Sequence, residues 1–286
     1  MAYKNFFNKK ANYPKFKAKK QNKNSYTTSC CHRNIEIGTN QIKLPKLGWI
    51  KASICRKPKP NWIIKQATVS MKFNGELYVS VLFAFTKEIS FVIPTLDTTI
   101  GLDYSSPNFY VDSNGHKPKI PYPFRKSEKK LAKEQRKLSH MKQGSNNYNK
   151  QRQRIAKIYA KTANQRKYFC HKESKKIANS YNVVAVEDIN LKAMAQSLRF
   201  GKAVNDNGFG TFRYFLEYKL KEQGKYFVKI NKWYPSSKTC HYCGTYNPNL
   251  KLGESKWVCS HCGIAIDRDI NAAINIKNEG FKMLTN

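Results

Sequence analysis

Four cysteines in the last fifth of the sequence have the spacing of a metal site. They form two Cys-x-x-Cys pairs separated by fifteen residues: Cys240, Cys243, Cys259 and Cys262. A glycine follows each pair, which lets backbone N–H groups turn toward the sulfurs. Four thiolates complete the tetrahedral shell of Zn²⁺ and leave no open position, so the predicted ion is structural. The alternatives are two disulfides or four unligated thiols. With the shell complete, His241 and His261 are expected to face the surface or a nucleic acid.

Two acids open an apolar helical pattern directly after these cysteines. Asp267 and Asp269 precede Ile270, Ala273 and Ile274, which have the i, i+3, i+4 spacing of a helix face. One acid suffices to cap the helix and to meet the positive end of its dipole. The second acid lies two residues away on another face and needs a different explanation.

Further acids occur where strands are predicted. Asp103 interrupts the apolar strand that begins near residue 98, and Glu187 ends the apolar run 182–189, which is typical of a buried parallel strand. If these strands are parallel neighbours, the two acids lie about 5 Å apart, and a final helix laid on the sheet can add Asp269. Three such carboxylates repel one another unless cations lie between them. Two Mg²⁺ ions about 4 Å apart would satisfy them and support hydrolysis of a phosphodiester.

Other segments predict the elements that position these residues. Residues 26–96 alternate as short strands, with Asn74-Gly75 as a type I′ hairpin turn, and indicate a small barrel. Residues 126–180 predict a basic helical hairpin with its turn at 143–147, and residues 191–206 predict a polar loop.

The formal charge of +35 on 286 residues predicts a polyanionic partner. Two segments carry most of it: residues 1–65 hold sixteen Lys or Arg and one acid, and residues 125–180 hold eighteen and three. No apolar run is long enough to span a membrane, and no signal peptide precedes a cleavage site. The cysteines without metal spacing are expected to be ordinary thiols in a reducing compartment: Cys30, Cys31, Cys55 and Cys170.

Four motifs in a fixed order carry a family resemblance that covers residues 26–278: IGLDYSSPNFYVDSNG, VVAVEDIN, WYPSSKTCHYCG and CSHCGIAIDRDINAAINI. The sequence resembles the TnpB (OrfB) proteins that insertion sequences encode, relatives of the compact type V CRISPR effectors. The resemblance implies an α/β or α+β fold, namely a RuvC-type, RNase H-like nuclease domain with a zinc-ribbon insertion, preceded by a small β-barrel-like wedge domain.

The resemblance also implies a role for each site residue. Asp103, Glu187 and Asp269 match the three catalytic acids of the family and would hold catalytic Mg²⁺. Asp269 matches better than Asp267 because the third acid of the family stands two residues before Asn-Ala-Ala. The implied partners are a DNA target and a guide RNA from the transposon end, and the implied location is the bacterial cytoplasm, associated with the nucleoid.

The expected domain order follows the motifs. The ranges are 1–96 for a basic segment and a barrel-like nucleic-acid-binding domain, 97–234 for the first part of the nuclease with its hairpin 126–180, 235–266 for the zinc ribbon, and 267–286 for the last part of the nuclease. Family members usually have a further helical segment before the part that this sequence begins with.

Three hypotheses for the function therefore remain. The first is a Mg²⁺-dependent, RNA-guided DNA endonuclease. The second is a catalytically inactive nucleic-acid-binding remnant or regulator, which a shortened amino-terminal region favours. The third is a zinc-ribbon DNA-binding module on a scaffold that has lost nuclease activity. The three acids favour the first hypothesis, and the sequence leaves the oligomeric state open.

Overall fold

The computed structural model of the chain describes residues 2–14, 24–105, 108–197, 201, 206–251 and 253–285. The chain forms two compact units, Met1–Lys87 and Glu88–Asn286. Residues 88–96, which the sequence assigned to the amino-terminal domain, group with the second unit.

The first unit contains a short helix and two antiparallel three-stranded sheets. Their bounds are α1 (Ala2–Phe7), β1 (Ser25–Ser29), β2 (Glu36–Ile37), β3 (Gln41–Leu44), β4 (Gly48–Lys51), β5 (Ile63–Met71) and β6 (Leu77–Ala84). The strand orders are β1-β5-β6 and β2-β3-β4. One apolar cluster, which includes Ile42, Leu44 and Ala67, draws residues from both sheets, so the two sheets share a core. The predicted strands are confirmed, and a closed barrel stays a prediction.

The β5–β6 hairpin has a different turn from the one predicted. Gly75 has a φ of 85°, whereas Asn74 is not among the residues with positive φ. A type I′ turn needs positive φ at both positions, so that prediction is wrong. The N–H of Lys72 donates to Glu76 O at 2.9 Å, which closes a longer loop. Asn74 keeps its conformation because its Oδ1 accepts from the N–H of Glu76 at 3.1 Å.

The second unit is built on a four-stranded mixed sheet. Its strands are β7 (Thr99–Ser105), β8 (Phe109–Asp112), β9 (Val183–Glu187) and β10 (Tyr226–Ile230), in the order β10-β9-β7-β8. Strands β7 and β8 form an antiparallel hairpin, while β9 pairs in parallel with both β7 and β10. The parallel pairing that the sequence predicted for the strands of Asp103 and Glu187 is therefore confirmed.

Helices cover both faces of this sheet. They are α2 (Pro123–Ser139), α3 (Asn146–Ser180), α4 (Leu191–Ser197), α5 (Phe209–Glu222) and α6 (Arg268–Thr285). Alternate strand residues such as Leu102 and Val186 pack with aromatic residues of α5 and apolar residues of α3. On each strand, the residues that alternate with these point to the opposite face of the sheet, where Ala185 packs against Ile276 of α6.

The predicted helical hairpin is confirmed as α2 and α3. Ser145 begins α3 as its N-cap, and the Ser145 hydroxyl accepts from the N–H of Tyr148 at 3.1 Å. The buried Gln151 side chain donates to Glu134 O at 2.9 Å and joins the two helices. The loop predicted at 191–206 is wrong over Leu191–Ser197, which is helical, and most of its remainder lies outside the described residues.

Helix α6 approaches strand β7 closely because the facing residues are small. A Cβ atom at Gly101 would overlap the carbonyl oxygen of Ala273 and the backbone nitrogen of Lys277. Farther along the helix, a Cβ at Gly280 would overlap the side chain of Ala185 on β9. The backbone of α6 is thus held against the two central strands, and the position of its first turn is fixed relative to their ends.

The Gly101 contact makes a direct prediction. Gly101→Ala should lower the free energy of unfolding by about 3 kcal/mol or more, because the new methyl group meets backbone atoms, which cannot rotate away. Gly210→Ala is the matched control, since its Cβ would meet only the Leu191 side chain, at 3.4 Å, inside helix α5. That variant should change stability by less than about 1 kcal/mol. Equal denaturant midpoints for the two variants would contradict the close approach.

Candidate functional site

The sheet brings two of the predicted acids to the same edge and the same face. Parallel pairing of β7 with β9 aligns Leu102 with Val186, so Asp103 and Glu187 are the next residues on adjacent strands. Both are half-buried. They alternate with Leu102 and Val186, whose side chains pack on the α3 and α5 side, so both acids face the α6 side.

Helix α6 supplies the third acid in its first turn. Asp269 lies there, half-buried, directly after the N-terminal residue Arg268. Asp267 plays a different part, because its Oδ1 accepts from the N–H groups of Asp269 and Ile270, both at 3.1 Å. Its Oδ2 lies 3.2 Å from Lys117 Nζ. Asp267 is thus the N-cap of the helix, as the sequence predicted for one acid of the pair.

The three acids are close enough at this edge of the sheet for their charges to interact. Burial raises the pKa of Asp103 well above its ordinary value, and the charges of Glu187 and Asp269 raise it further, while Arg268 acts in the opposite direction. Burial also raises the pKa of Glu187, against a hydrogen bond from Ser236 that lowers it. The carboxylates therefore destabilise one another in the ionised state, which a cation between them would relieve.

The raised pKa predicts that Asp103 costs the metal-free protein stability at neutral pH. Folding disfavours its ionised form, so the cost is absent below the pKa of the unfolded chain and grows as pH rises toward the pKa of the folded protein. Asp103→Asn should therefore raise the free energy of unfolding near pH 8, where the ionised carboxylate of the wild type is most disfavoured. The gain should shrink toward pH 4 in urea titrations with a chelator present. A gain that does not depend on pH would contradict this electrostatic origin.

The four predicted cysteines meet in one cluster. Their Sγ atoms all lie within 4.8 Å of one another, with Cys240–Cys262 at 3.7 Å and Cys243–Cys259 at 3.6 Å. Two matching turns build the cluster, because the N–H groups of Gly244 and Gly263 donate to Cys240 O and Cys259 O, each at 2.9 Å. Both glycines have positive φ, of 75° and 72°. Hydrogen bonds with Thr245 lower the pKa of Cys243, which favours the thiolate form that a metal ligand needs.

The segment between the cysteine pairs forms a small ribbon. Strands β11 (Lys256–Val258) and β12 (Ala265–Asp267) pair antiparallel. Trp257 and Ile266 pack beside Cys240 and Cys259 in a core of their own. Strand β12 ends at Asp267, which caps the helix that follows, so the ribbon leads without a linker into the helix that carries Asp269.

Two residues that position the site's neighbouring loop, Asn271 and Asn275, were missed by reasoning from the sequence. They are buried and lie one turn apart on α6, and both donate to the carbonyl oxygens of Ser236 and Thr239. Asn271 Oδ1 also meets the backbone N and the ring Nδ1 of His241, at 3.0 and 2.9 Å. His241 is half-buried and contacts the helix, whereas His261 is exposed, and neither belongs to the cysteine cluster. The sequence feature that could have revealed them is a pair of asparagines at i, i+4 on an otherwise apolar helix face, since buried amides need hydrogen-bond partners.

The basic residues of the helical hairpin remain available to a partner. Every Lys and Arg between residues 125 and 180 is exposed except Arg166, which is half-buried. Among the described residues, no helix is long and apolar enough to cross a membrane. A long, exposed, positively charged surface of this kind attracts a phosphate backbone.

Two family models match successive parts of the second unit. A family model described as a probable transposase, OrfB of IS605, matches residues 94–198, and a model described as the Cas12f1-like TNB domain matches residues 209–276. The chain is 32% identical over 285 residues to a protein of Streptomyces pristinaespiralis provisionally named an RNA-guided DNA endonuclease; the match covers 98% of this chain and 68% of the relative.

A second relative, InsQ of Escherichia coli K12, has the same provisional name and is 29% identical over 299 residues, which cover 99% of this chain and 72% of InsQ. A solved Cas12f1–sgRNA–target DNA complex contains a chain with the same mixed α/β fold, with a TM-score of 0.52 and 18% identity over 76% of this chain and 46% of that one. The chain therefore belongs to the TnpB (OrfB) family of transposon-encoded proteins.

Proposed function

We propose that this chain is a transposon-associated, RNA-guided DNA endonuclease whose reaction takes place at Asp103, Glu187 and Asp269. The observation that carries the proposal is that one sheet edge and one helix start bring these acids into a single electrostatic group, although they are spread over most of the second unit. Family membership supports the same reading, because the relatives of Streptomyces pristinaespiralis and Escherichia coli have provisional names for this activity.

The proposed domain is a RuvC-type, RNase H-like nuclease. In support, an antiparallel hairpin, β7–β8, is extended by the parallel strands β9 and β10, and helices cover both faces. Asp103 lies on the first strand of this sheet, and Glu187 ends its parallel neighbour. We retain the domain ranges 97–234, 235–266 and 267–286 as part of the proposal. The barrel-like nucleic-acid-binding domain, predicted as 1–96, is narrowed to 1–87 because residues 88–96 group with the second unit.

The three carboxylates have the right chemistry to hold Mg²⁺. Mg²⁺ prefers hard oxygen ligands, and the mutual repulsion that raises the pKa of Asp103 is what a divalent cation would offset. When bound, Mg²⁺ supplies charge neutralisation and an activated water for phosphodiester hydrolysis. Asp103 and Glu187 would hold the ions from the sheet, and Asp269 would hold them from the helix. Arg268, whose charge lowers the pKa of Asp103, would add positive charge beside a scissile phosphate.

The four cysteines fit structural Zn²⁺. Sulfurs 2.3 Å from a tetrahedral centre lie about 3.8 Å apart, close to the distances of 3.7 and 3.6 Å between the paired thiols. All four positions are taken by protein ligands, so no position is left for a substrate. The ion would hold the ribbon together, and through β12 it would stabilise the start of α6.

The proposed partners are a guide RNA from the transposon end and a DNA target. The exposed Lys and Arg residues of α2 and α3 would contact the phosphates, and Cas12f1, which shares the fold, was solved as a complex with sgRNA and target DNA. The proposed location is the bacterial cytoplasm, associated with the nucleoid.

The acids supply the decisive test of this function. Asp103→Ala, Glu187→Ala and Asp269→Ala should each abolish Mg²⁺-dependent cleavage of labelled DNA in the presence of the co-purified RNA. Nucleic-acid binding should stay nearly unchanged, because each acid acts on the transition state and not on the phosphate contacts. Double variants should lose no more activity than single ones.

Asp267→Asn is the matched control for Asp269. Asparagine accepts the capping hydrogen bonds as well as aspartate does, and the half-buried contact with Lys117 contributes about 1 kcal/mol or less. This variant should therefore fold and cut DNA. If Asp267→Asn is inactive while Asp269→Ala still cuts, the third acid has been misassigned by two residues. If the wild type never cuts with its RNA and Mg²⁺ or Mn²⁺, the inactive nucleic-acid-binding remnant becomes the better account.

The zinc assignment makes a separate prediction. Cys240→Ser and Cys262→Ser should lower the zinc content and lower the melting temperature by more than about 5 °C together, because the ion contributes folding free energy. Cys55→Ser is the control: Cys55 is exposed and lies outside the cluster, so that variant should keep both properties. Elemental analysis that finds no zinc in well-folded wild-type protein would reject the assignment.

A further inference from the structure

We propose that Ser236 is a positioning residue that fixes the Glu187 carboxylate for metal binding, and that the cysteine ribbon holds Ser236 in place. The inference rests on the proposed nuclease function, since it takes the Glu187 carboxylate to be a metal ligand. It adds a residue that the three acids and the four cysteines do not include, and it links two sites that have no ligand in common.

The contact between the two side chains is short and protected from solvent. Ser236 Oγ donates to Glu187 Oε1 at 2.6 Å, the length of a hydrogen bond to a charged oxygen. Ser236 is only 5% exposed, so water competes weakly for this bond. The hydroxyl engages one carboxylate oxygen and leaves the second available as a ligand.

The backbone of Ser236 is held from inside its own loop. Residues 235–239 form a tight turn, in which the N–H groups of Lys238 and Thr239 donate to Pro235 O at 3.1 and 3.0 Å. The Ser236 N–H donates to Tyr234 O at 2.8 Å. Tyr234 in turn packs against the apolar cluster beneath helix α6.

Helix α6 holds the same loop from the outside. Asn275 Nδ2 donates to Ser236 O at 2.7 Å and to Thr239 O at 2.6 Å, and Asn271 Nδ2 donates to Thr239 O at 2.8 Å. Asn271 Oδ1 accepts from the N–H of His241, the residue that follows Cys240 in the cluster. A continuous chain of hydrogen bonds thus runs from the ribbon through α6 and the loop to Glu187.

This arrangement has a consequence for metal affinity. A free glutamate side chain would lose its rotamer freedom when it binds an ion, and this loss of entropy opposes binding. Hydrogen-bonded partners behind a ligand remove part of this cost, and their loss typically weakens metal binding 10- to 100-fold. A purely structural serine would change stability when replaced but would leave the metal affinity unaltered.

The experiment compares Ser236→Ala with Ser237→Ala in the full chain. Among the described residues, the Ser237 hydroxyl has no hydrogen-bond partner, so the two variants lose the same atom from neighbouring positions and differ in the bond to Glu187. Mn²⁺ binding to the zinc-loaded protein is followed by electron paramagnetic resonance without nucleic acid. The dissociation constant should rise about tenfold for Ser236→Ala and stay unchanged for Ser237→Ala. Ser236→Cys keeps the side-chain shape and weakens the hydrogen-bond donor, so its Mn²⁺ dissociation constant should lie between those of Ser237→Ala and Ser236→Ala. If Ser236→Ala does not fold, Ser236→Cys takes its place in the comparison with Ser237→Ala.

The same variants are then assayed for cleavage with RNA supplied, where the Mg²⁺ concentration for half-maximal rate should rise about tenfold for Ser236→Ala. Equal Mn²⁺ affinity for Ser236→Ala and Ser237→Ala would overturn the positioning role, as would a wild type that binds no Mn²⁺. A wild type that binds Mn²⁺ and cuts no DNA would overturn the nuclease function alone, because the Mn²⁺ comparison still decides the role of Ser236.

Discussion

The close contact between helix α6 and strand β7 is the constraint on which the candidate site depends. The strand contributes Gly101 and the helix contributes Ala273, and no side chain separates the two backbones there. A residue with a Cβ atom on β7 would push the helix outward and carry Asp269 away from Asp103. Because Gly280 and Ala185 repeat the same small contact farther along, the helix is fixed at two points and its first turn has little freedom.

The ribbon attaches to the acids at both of its ends. At its start, the loop 235–239 reaches Glu187 through the Ser236 hydroxyl. At its end, strand β12 stops at Asp267, which caps the helix that carries Asp269. A four-cysteine cluster with no direct contact to the reaction can therefore control the geometry of two of the three acids. This physical link gives the four-cysteine cluster a structural role within the proposed nuclease domain.

The strongest predictions from the sequence were those in which chemistry and spacing act locally. The spacing of the two Cys-x-x-Cys pairs, each followed by a glycine, was sufficient to predict the cysteine cluster. The apolar run that ends at Glu187 indicated a buried parallel strand, and its pairing with the strand of Asp103 followed from that indication. The helical hairpin followed from its apolar spacing in the same way. Only the family resemblance separated Asp269 from Asp267, and the capping bonds of Asp267 agree with that choice.

The features that escaped prediction depend on partners far away in sequence or on single local bonds. Asn275 and the Ser236 carbonyl are 39 residues apart, so no local pattern joins them. The contact of His241 with Asn271 escaped prediction because the two residues lie 30 positions apart. The hairpin at Asn74 took a different turn, in which the Asn74 side chain accepts from the N–H of Glu76, and the Asn-Gly pair alone does not predict this local bond.

The central claim is that Asp103, Glu187 and Asp269 form one metal site. Anomalous X-ray diffraction from crystals of the zinc-loaded protein soaked in Mn²⁺, recorded at the manganese edge, tests it most directly. The account predicts manganese peaks bounded by these three carboxylates, at most about 4 Å apart if two ions bind. Ordered Mn²⁺ elsewhere on the protein, with none between the three acids, would contradict it.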